Sequence, residues 1–544
     1  MATIATNKFR IHNAKSFVEG FSEAATSNMY LFIGKYSEWT SSDVSSGATN
    51  DTDDTKPPTP PDHVQNVEYQ AWRHMIAAKR IQSTDVKHVI PRYNWTTGTV
   101  YKAYTDDRTT LHTDGTNPFY VLTDEFNVYK CIFTPFESGA LKASTTKPTG
   151  TGTSLITTAD GYVWKYMYTI SASNALKFVT TSYIPVETLA SDPGASACSQ
   201  EDLQWTVQQA AIDGAIHSVK RKNDATGDAG SSYKSYSHSD IGTISDGDTE
   251  VDLSGNGGSA PSGLNDYYKD MVLYVNNTLY TITGYVGSTT TATVTPAMSS
   301  GDSGKTYTVT PKVNLTGGDG SNFTAVAVMS GNTIDSVEVL TEGTGYTKGT
   351  ITFTDAFIDG VGTSASYVAV ISPKGGHGKD PIKELGGFFV LMNTRLEYDE
   401  GVEKLTVAND YRQIGVVKDP LKADGNLATD SVYLQTVALP LDAGFGTFTL
   451  DETVTGGNSE ATGTVVDQLE ISGVQYVRLS NIVRTFQANE TITGSSGATA
   501  DVLEAGPTGA ELKNYSGEIV YLENRKPITR DVAQLEDLKI ILEF

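Results

Sequence analysis

Few residues in this chain of 544 stand at spacings that known chemistry requires. Gly304-Lys305-Thr306 repeats the end of the phosphate-loop signature GxxxxGK[ST], but Ser299 occupies the first glycine position and the flanks read as strands, not as strand then helix. Gly343-Thr-Gly345-Tyr-Thr-Lys-Gly349 has one residue too many for GxGxxG and sits between strands, so it reads as a turn. No HExxH or CxxC occurs, and the eight histidines (12, 63, 74, 88, 112, 217, 238, 377) contain no i, i+4 pair of the kind that binds zinc from one helix face. Asp246, Asp248, Glu250 and Asp252 alternate, which on a strand puts four like charges on one face. That pattern admits a weak Ca²⁺ site, yet the glycine and closing glutamate of an EF-hand loop are missing, and a solvated turn is the expectation. No catalytic residue, cofactor site or metal site is assigned, and the chain reads as a non-enzyme.

Charge and composition narrow the classes further. Lys and Arg number 40 against 64 Asp and Glu, a formal charge of −24, which disfavours wrapping a phosphate backbone, so nucleic acid is not the expected partner. The start carries Lys8 and Arg10 with no apolar run behind them, unlike a secretory leader. Nowhere do the roughly 20 consecutive apolar residues of a membrane span occur, so no membrane insertion is expected. Two cysteines, Cys131 and Cys198, are the usage of a chain made in a reducing compartment, where free buried thiols are the expectation.

The elements that would position any site follow from periodicity. Ala14, Phe17, Val18 and Phe21 share one face of a short helix behind an Asn13 cap, with Gly20 at its frayed end. Met29–Lys35 reads as a buried strand, and 41–62, with DTDD and PPTPP, as an exposed loop. Asp62 would cap a helix whose apolar face is Val64, Val67, Ala71 and Met75, with Trp72 and Ile76 beside them. Beyond it the period becomes two. FNVYKCIF at 126–133 and GYVWKYMYTI at 161–170 read as central strands, the second with Tyr162, Trp164, Tyr166 and Tyr168 on one face as core. Leu538, Ile540, Leu542 and Phe544 alternate in the same way.

From about 221 the texture turns to Gly, Ser, Thr and Asp, with short β runs at 271–275, 279–283, 291–295 and 306–310, then an expected meander over 323–329, 334–340 and 349–354. Core-like texture returns near 373–378 and in FFVLMNTRLEY at 388–398. One repeat is visible: FTLDETVTG at 448–456 recurs as FQANETITG at 486–494, which reads as a small module of two similar hairpins.

Several segments, in order, resemble the dimeric baseplate wedge subunit of T-even-type contractile-tailed bacteriophages. They are TNKFRIHNAKSF (6–17), FIGKYSEWTSSD (32–43), the PPTPPD loop, VIPRYNW (89–95), VYKC (128–131), DGYVWKYMYTI (160–170), DLQW (202–205), YRQIGVVKDPL (411–421) and SGEIVYLENRKP (516–527). The resemblance covers roughly the first 220 residues, 376–427 and the last 37, leaving two β-rich stretches unmatched. It implies a structural virion protein of the tail baseplate, made in the host cytoplasm. Its implied partners are a second copy of itself and other wedge subunits, among them the large ring-forming and the peripheral fibre-attachment subunits. Many Tyr, 28 in all, would supply contact area at low entropy cost.

The expected fold is mainly β: a β-sandwich-like, discontinuous core with a few short helices, interrupted by inserted all-β domains. Core segments are placed at 1–221, 376–427 and 508–544, an inserted β domain at 222–312, a second inserted meander at 313–375 and the two-hairpin module at 428–507. Candidate contact residues are Arg92, Trp95, Glu523, Asn524 and Arg525. Arg92 and Trp95 read as loop anchors first; Glu523-Asn524-Arg525, placed after a strand and before Pro527, reads either as a bidentate interface or as an internal turn lock. The alternative function is a tail-associated adhesin whose β insertions bind host-surface glycan through Tyr267, Tyr268 and Tyr274.

Overall fold

In the computed structural model, which describes residues 5–23, 27–43, 53–61, 63–194, 199–254 and 260–544, the apolar run at Met29 becomes a strand buried on both faces. Met29–Gly34 lies between Met75–Ile81 and Tyr411–Lys418 in a five-stranded sheet that Val432–Leu434 and Glu518–Ile528 complete at the edges. Leu31 and Ile33 enter one core with Ile76, Ile414 and Val416, while Tyr30 and Phe32 enter another with Val417, Tyr433, Ala71 and Trp72. An unbroken apolar run, not an alternating one, is the signature of a strand covered on both sides. The first core is closed by a second sheet, in which Phe389–Leu396 pairs with residues 86–89 and with Glu536–Glu543, supplying Val390, Met392 and Ile540. Each fully buried side chain of this size contributes roughly 1.5–3 kcal/mol. These sheets form one compact unit, 1–89 with 388–544; residues 90–387 form the other.

The fold is mainly β, and its few helices pack through short apolar faces. The first runs Asn7–Gly20, so Asn13 is interior; the N-cap is Thr6, whose hydroxyl accepts from Phe9 N (3.2 Å). Its expected face holds, with Ala14 and Phe21 buried and Phe17 and Val18 packed on the first core. The second helix, Val64–His74, has His63 at the N-cap without a side-chain bond, while Asp62 lies outside the described residues, as does 44–52 of the loop. Met75 and Ile76 are not helical. Met75 is already extended (ψ 129°) and opens the next strand, because Ile76 is drawn into the core on the opposite face of the sheet from Trp72.

Within 90–387 the aromatic runs pair: Asn127–Phe133 and Val163–Thr169 are the central strands of a four-stranded sheet edged by Tyr120–Leu122 and Ile156–Thr157. Tyr162, Trp164, Tyr166 and Tyr168 are all buried, as core residues, and Trp164 stacks on Tyr162 (centroids 5.5 Å apart) and meets Tyr101 edge-on. The following β runs form a six-stranded antiparallel sheet in the order 236–238, 307–310, 272–275, 278–286, 291–295, 250–252, around its own core of Leu273, Tyr280, Ile282 and Tyr307.

The expected meander is only half formed. Ser321–Ser330 and Thr333–Thr344 make a hairpin, but Thr350–Phe353 pairs with Val313–Thr316 instead of extending it. Gly343 and Gly345, both at positive φ, turn the chain away, and the Asp319 carboxylate takes Thr347 N (2.7 Å), which draws the segment toward 313–316. The place beside Thr333–Thr344 goes to Ile216–Arg221, which also pairs with Tyr367–Ile371.

The repeat folds as a reciprocal pair. Thr453–Gly456 and Thr491–Gly494 lie side by side, antiparallel, as the fourth and fifth strands of a sheet ordered 437–441, 474–483, 462–471, 453–456, 491–494, 499–501. Glu490 of the second copy takes Asn458 N, Ser459 N and the Ser459 hydroxyl in the turn of the first, and Glu452 of the first takes Ser496 N and the Ser495 hydroxyl in the turn of the second. Each carboxylate also accepts from its own copy, Thr449 N or Gln487 N, at 2.6 Å. A Cβ on Gly456 would strike Glu490 and one on Gly494 would strike Glu452, both at 2.7 Å, so the glycines at the ends of the two repeats make room for the exchange.

Candidate functional site

The candidate contact residues are engaged within their own units. Arg92 donates to Asn94 Oδ1 and to the Thr180 carbonyl, each at 2.9 Å, while its own N–H reaches Ser182 O. Trp95 donates from Nε1 to the Ser144 hydroxyl (3.2 Å) and packs against the core of Tyr101 and Trp164. Trp95 holds its loop to the aromatic sheet, and Arg92 ties its segment to the 180–182 turn. Glu523, Asn524 and Arg525 lie inside the strand Glu518–Ile528 rather than after it. Pro527 lies on an edge strand where the register against Tyr411–Lys418 shifts between Asn524 and Ile528, and this irregularity is why proline does not end the strand. Glu523 accepts from Tyr521 OH (2.7 Å) and pairs with Arg525 Nε (3.5 Å), and Asn524 joins Gln413 Nε2 to the Pro58 carbonyl. The Arg525 carbonyl accepts from Trp39 Nε1 (2.7 Å), but its guanidinium is half exposed.

The acidic run is a turn. Only Glu250–Asp252 is a strand; Asp246 accepts from Ser300 N (2.7 Å) and Asp248 from Ser245 N (2.7 Å). Among the described residues no group of three or more His, Cys, Asp or Glu is placed to hold a metal ion. Of the three tyrosines offered for glycan, Tyr268 is buried in the core of the six-stranded sheet, Tyr267 lies under Lys234 (4.4 Å to the ring centroid), and Tyr274 is half-buried with its hydroxyl on Asn277. They do not form one exposed platform.

A buried cluster of titratable groups belongs to no sequence motif. Lys130, on the central strand, is fully buried; its ammonium donates to Glu384 Oε2 and to His377 Nδ1, both at 2.8 Å, and lies 4.0 Å from the Tyr104 ring centroid. Glu384 sits on the short helix Pro381–Leu385 and accepts from Gly378 N and Asp380 N, so one carboxylate ties the glycine-rich loop at 375–378 to the strand. Burial holds His377 well below the usual imidazole range, reinforced by the charge on Lys130, and burial lowers the neighbouring His217 to about 4. Burial lowers Lys130 as well, against the pull of Glu384. Lys130 and Glu384 stand 254 positions apart, beyond any spacing rule, and the cluster is closed to solvent. It locks a loop; it offers no open face to a substrate. Cys131, next along the strand, is a free buried thiol pushed up to about 12, chiefly by burial; Cys198 lies outside the described residues.

A family model described as Bacteriophage T4, Gp8 matches residues 3–142 and 134–225, about two fifths of the chain. The match supports a structural protein of a phage baseplate. None of the curated proteins matches. The matched stretch takes in both aromatic strands, Arg92 and Trp95, and stops before the six-stranded sheet; the segments at 411–421 and 516–527 fall outside it. No helix among the described residues is long and apolar enough to cross a membrane.

Proposed function

We propose that this chain is a wedge subunit in the baseplate of a contractile phage tail, working as a homodimer through contacts with neighbouring wedge proteins. The large ring-forming subunit and the peripheral fibre-attachment subunit are the neighbours it would meet. The observation that carries this reading is the family match over 3–225, and the physics of the fold supports it. Sheets buried on both faces and loops locked by buried side chains make stiff bodies, which suits a part that holds one arrangement and then rearranges through its interfaces. Such a role uses surfaces and no catalytic centre.

Electron microscopy of phage particles decorated with Fab fragments raised against this protein tests the placement. Sixfold density at the head-distal end of the tail is expected; label confined to fibre tips, or absent from the particle, would sink the reading. Light scattering on the purified chain tests the dimer separately.

A further inference from the structure

Within 90–387, an open cleft of about 550 Å³ lies between the six-stranded sheet and the hairpin of 321–344. One wall is the face of the sheet turned away from its core: Tyr274 is the register partner of Thr308, which is in turn opposite Ser237. Thr310, two residues on, is buried, and its hydroxyl has no hydrogen-bond partner among the described residues. The other wall is the outer face of the hairpin, where Val326 pairs with Glu338 and Val328, a large apolar side chain, is 39% exposed. Glu338 is exposed and forms no ion pair among the described residues.

We propose that this cleft binds a neutral saccharide. A pyranose presents apolar C–H faces rimmed by hydroxyls, and the two walls offer the complement: an aromatic ring and valine surface for the faces, and hydroxyls and one carboxylate for the rim. Charge selects among sugars. Among the described residues no Lys, Arg or His lines the cleft, so an acidic sugar or a phosphate would meet Glu338 with no cation from them to offset it. The inference stands apart from the baseplate reading, since it uses only residues beyond the matched stretch.

The test is saturation-transfer NMR on the full chain with lactose, maltose and cellobiose as probes and N-acetylneuraminic acid as the charged comparison. Transfer to the C–H protons of at least one neutral disaccharide is expected, weakened about fivefold or more by Tyr274→Ala. Glu338→Gln, a change at an exposed site that leaves folding intact, should weaken it too. No transfer to any of the three, transfer unchanged by both substitutions, or preference for N-acetylneuraminic acid would each overturn the proposal. So would loss of particle incorporation in these variants without sugar binding, which would make the cleft a protein contact.

Discussion

The aromatic sheet at 127–169 and the repeat module at 437–501 are both antiparallel β, yet they are held by different forces. The first buries Tyr129, Tyr162, Trp164 and Tyr166 in one cluster, where rings supply area and edge-on contacts. The second has an aliphatic core of Leu439, Leu441, Val454, Val465, Leu479 and Ile492 with two phenylalanines, no Tyr or Trp in that buried cluster, and closes its turns with two exchanged carboxylates. Where stacked and edge-on rings are absent from the core, hydrogen bonds donated to buried carboxylates help to fix the geometry. Breaking each region by its own mechanism should therefore give different losses.

The largest is expected at Trp164, which is fully buried: Trp164→Ala should cost about 3–5 kcal/mol in a urea titration, since a ring-sized cavity cannot collapse within a sheet covered on both sides. A loss under 1 kcal/mol would mean that the aromatic cluster is not what stabilises this sheet. Next, Glu384→Ala leaves the Lys130 ammonium buried without its counter-charge, which costs about 3–5 kcal/mol. Replacing both partners, Lys130→Met with Glu384→Leu, should recover most of that loss, and failure to recover would show that the carboxylate's bonds to Gly378 and Asp380 matter more than the pair.

The two regions also separate by pH. His217 and His377 have folded-state values below the unfolded imidazole, so their contribution is complete above about pH 6.5 and is lost as pH falls toward the folded values, about 4 for His217. Glu452 and Glu490 are lowered too: burial alone would raise them, but the N–H donors outweigh it. Their contribution is complete above about pH 4.5 and falls only below it. Hydrogen exchange followed from pH 7 to 4 should loosen peptides around 375–386 first and those around 452–459 and 490–496 last. The reverse order would contradict the assignment. At neutral pH, Glu490→Ala should cost about 1–3 kcal/mol, and with Glu452→Ala the sum should be non-additive because the two carboxylates lock adjacent strands.

What could be read in advance follows the same divide. Strands 29–34, 127–133, 163–169 and 536–543 were legible from local apolar pattern, and the repeat from self-similarity. Helix ends were less so: Asn13 has the right residue type for a cap, but Thr6 stands one residue before the helix and has the hydroxyl in place. Pairing was the least legible. Nothing local says that Thr350–Phe353 joins Val313–Thr316, that Lys130 meets Glu384 and His377, or that Glu452 serves the other repeat's turn. Those contacts depend on how distant segments are brought together, which propensity and period do not encode.

The smallest effect on folding, and the sharpest on assembly, is expected at Arg525. Its carbonyl bond to Trp39 survives substitution, and among the described residues its side chain makes only a half-exposed pair with Glu523 at 3.5 Å, so Arg525→Ala should change monomer stability by no more than about 0.5 kcal/mol. A guanidinium that does so little inside its own unit is free for a carboxylate on a neighbour, where a bidentate bond is worth far more once water is excluded. Sedimentation of the variant across a dilution series separates the two roles. A dimer weakened about tenfold or more with unchanged melting would place Arg525 at an interface. Unchanged association with a lowered melting temperature would return it, with Glu523, to the internal lock.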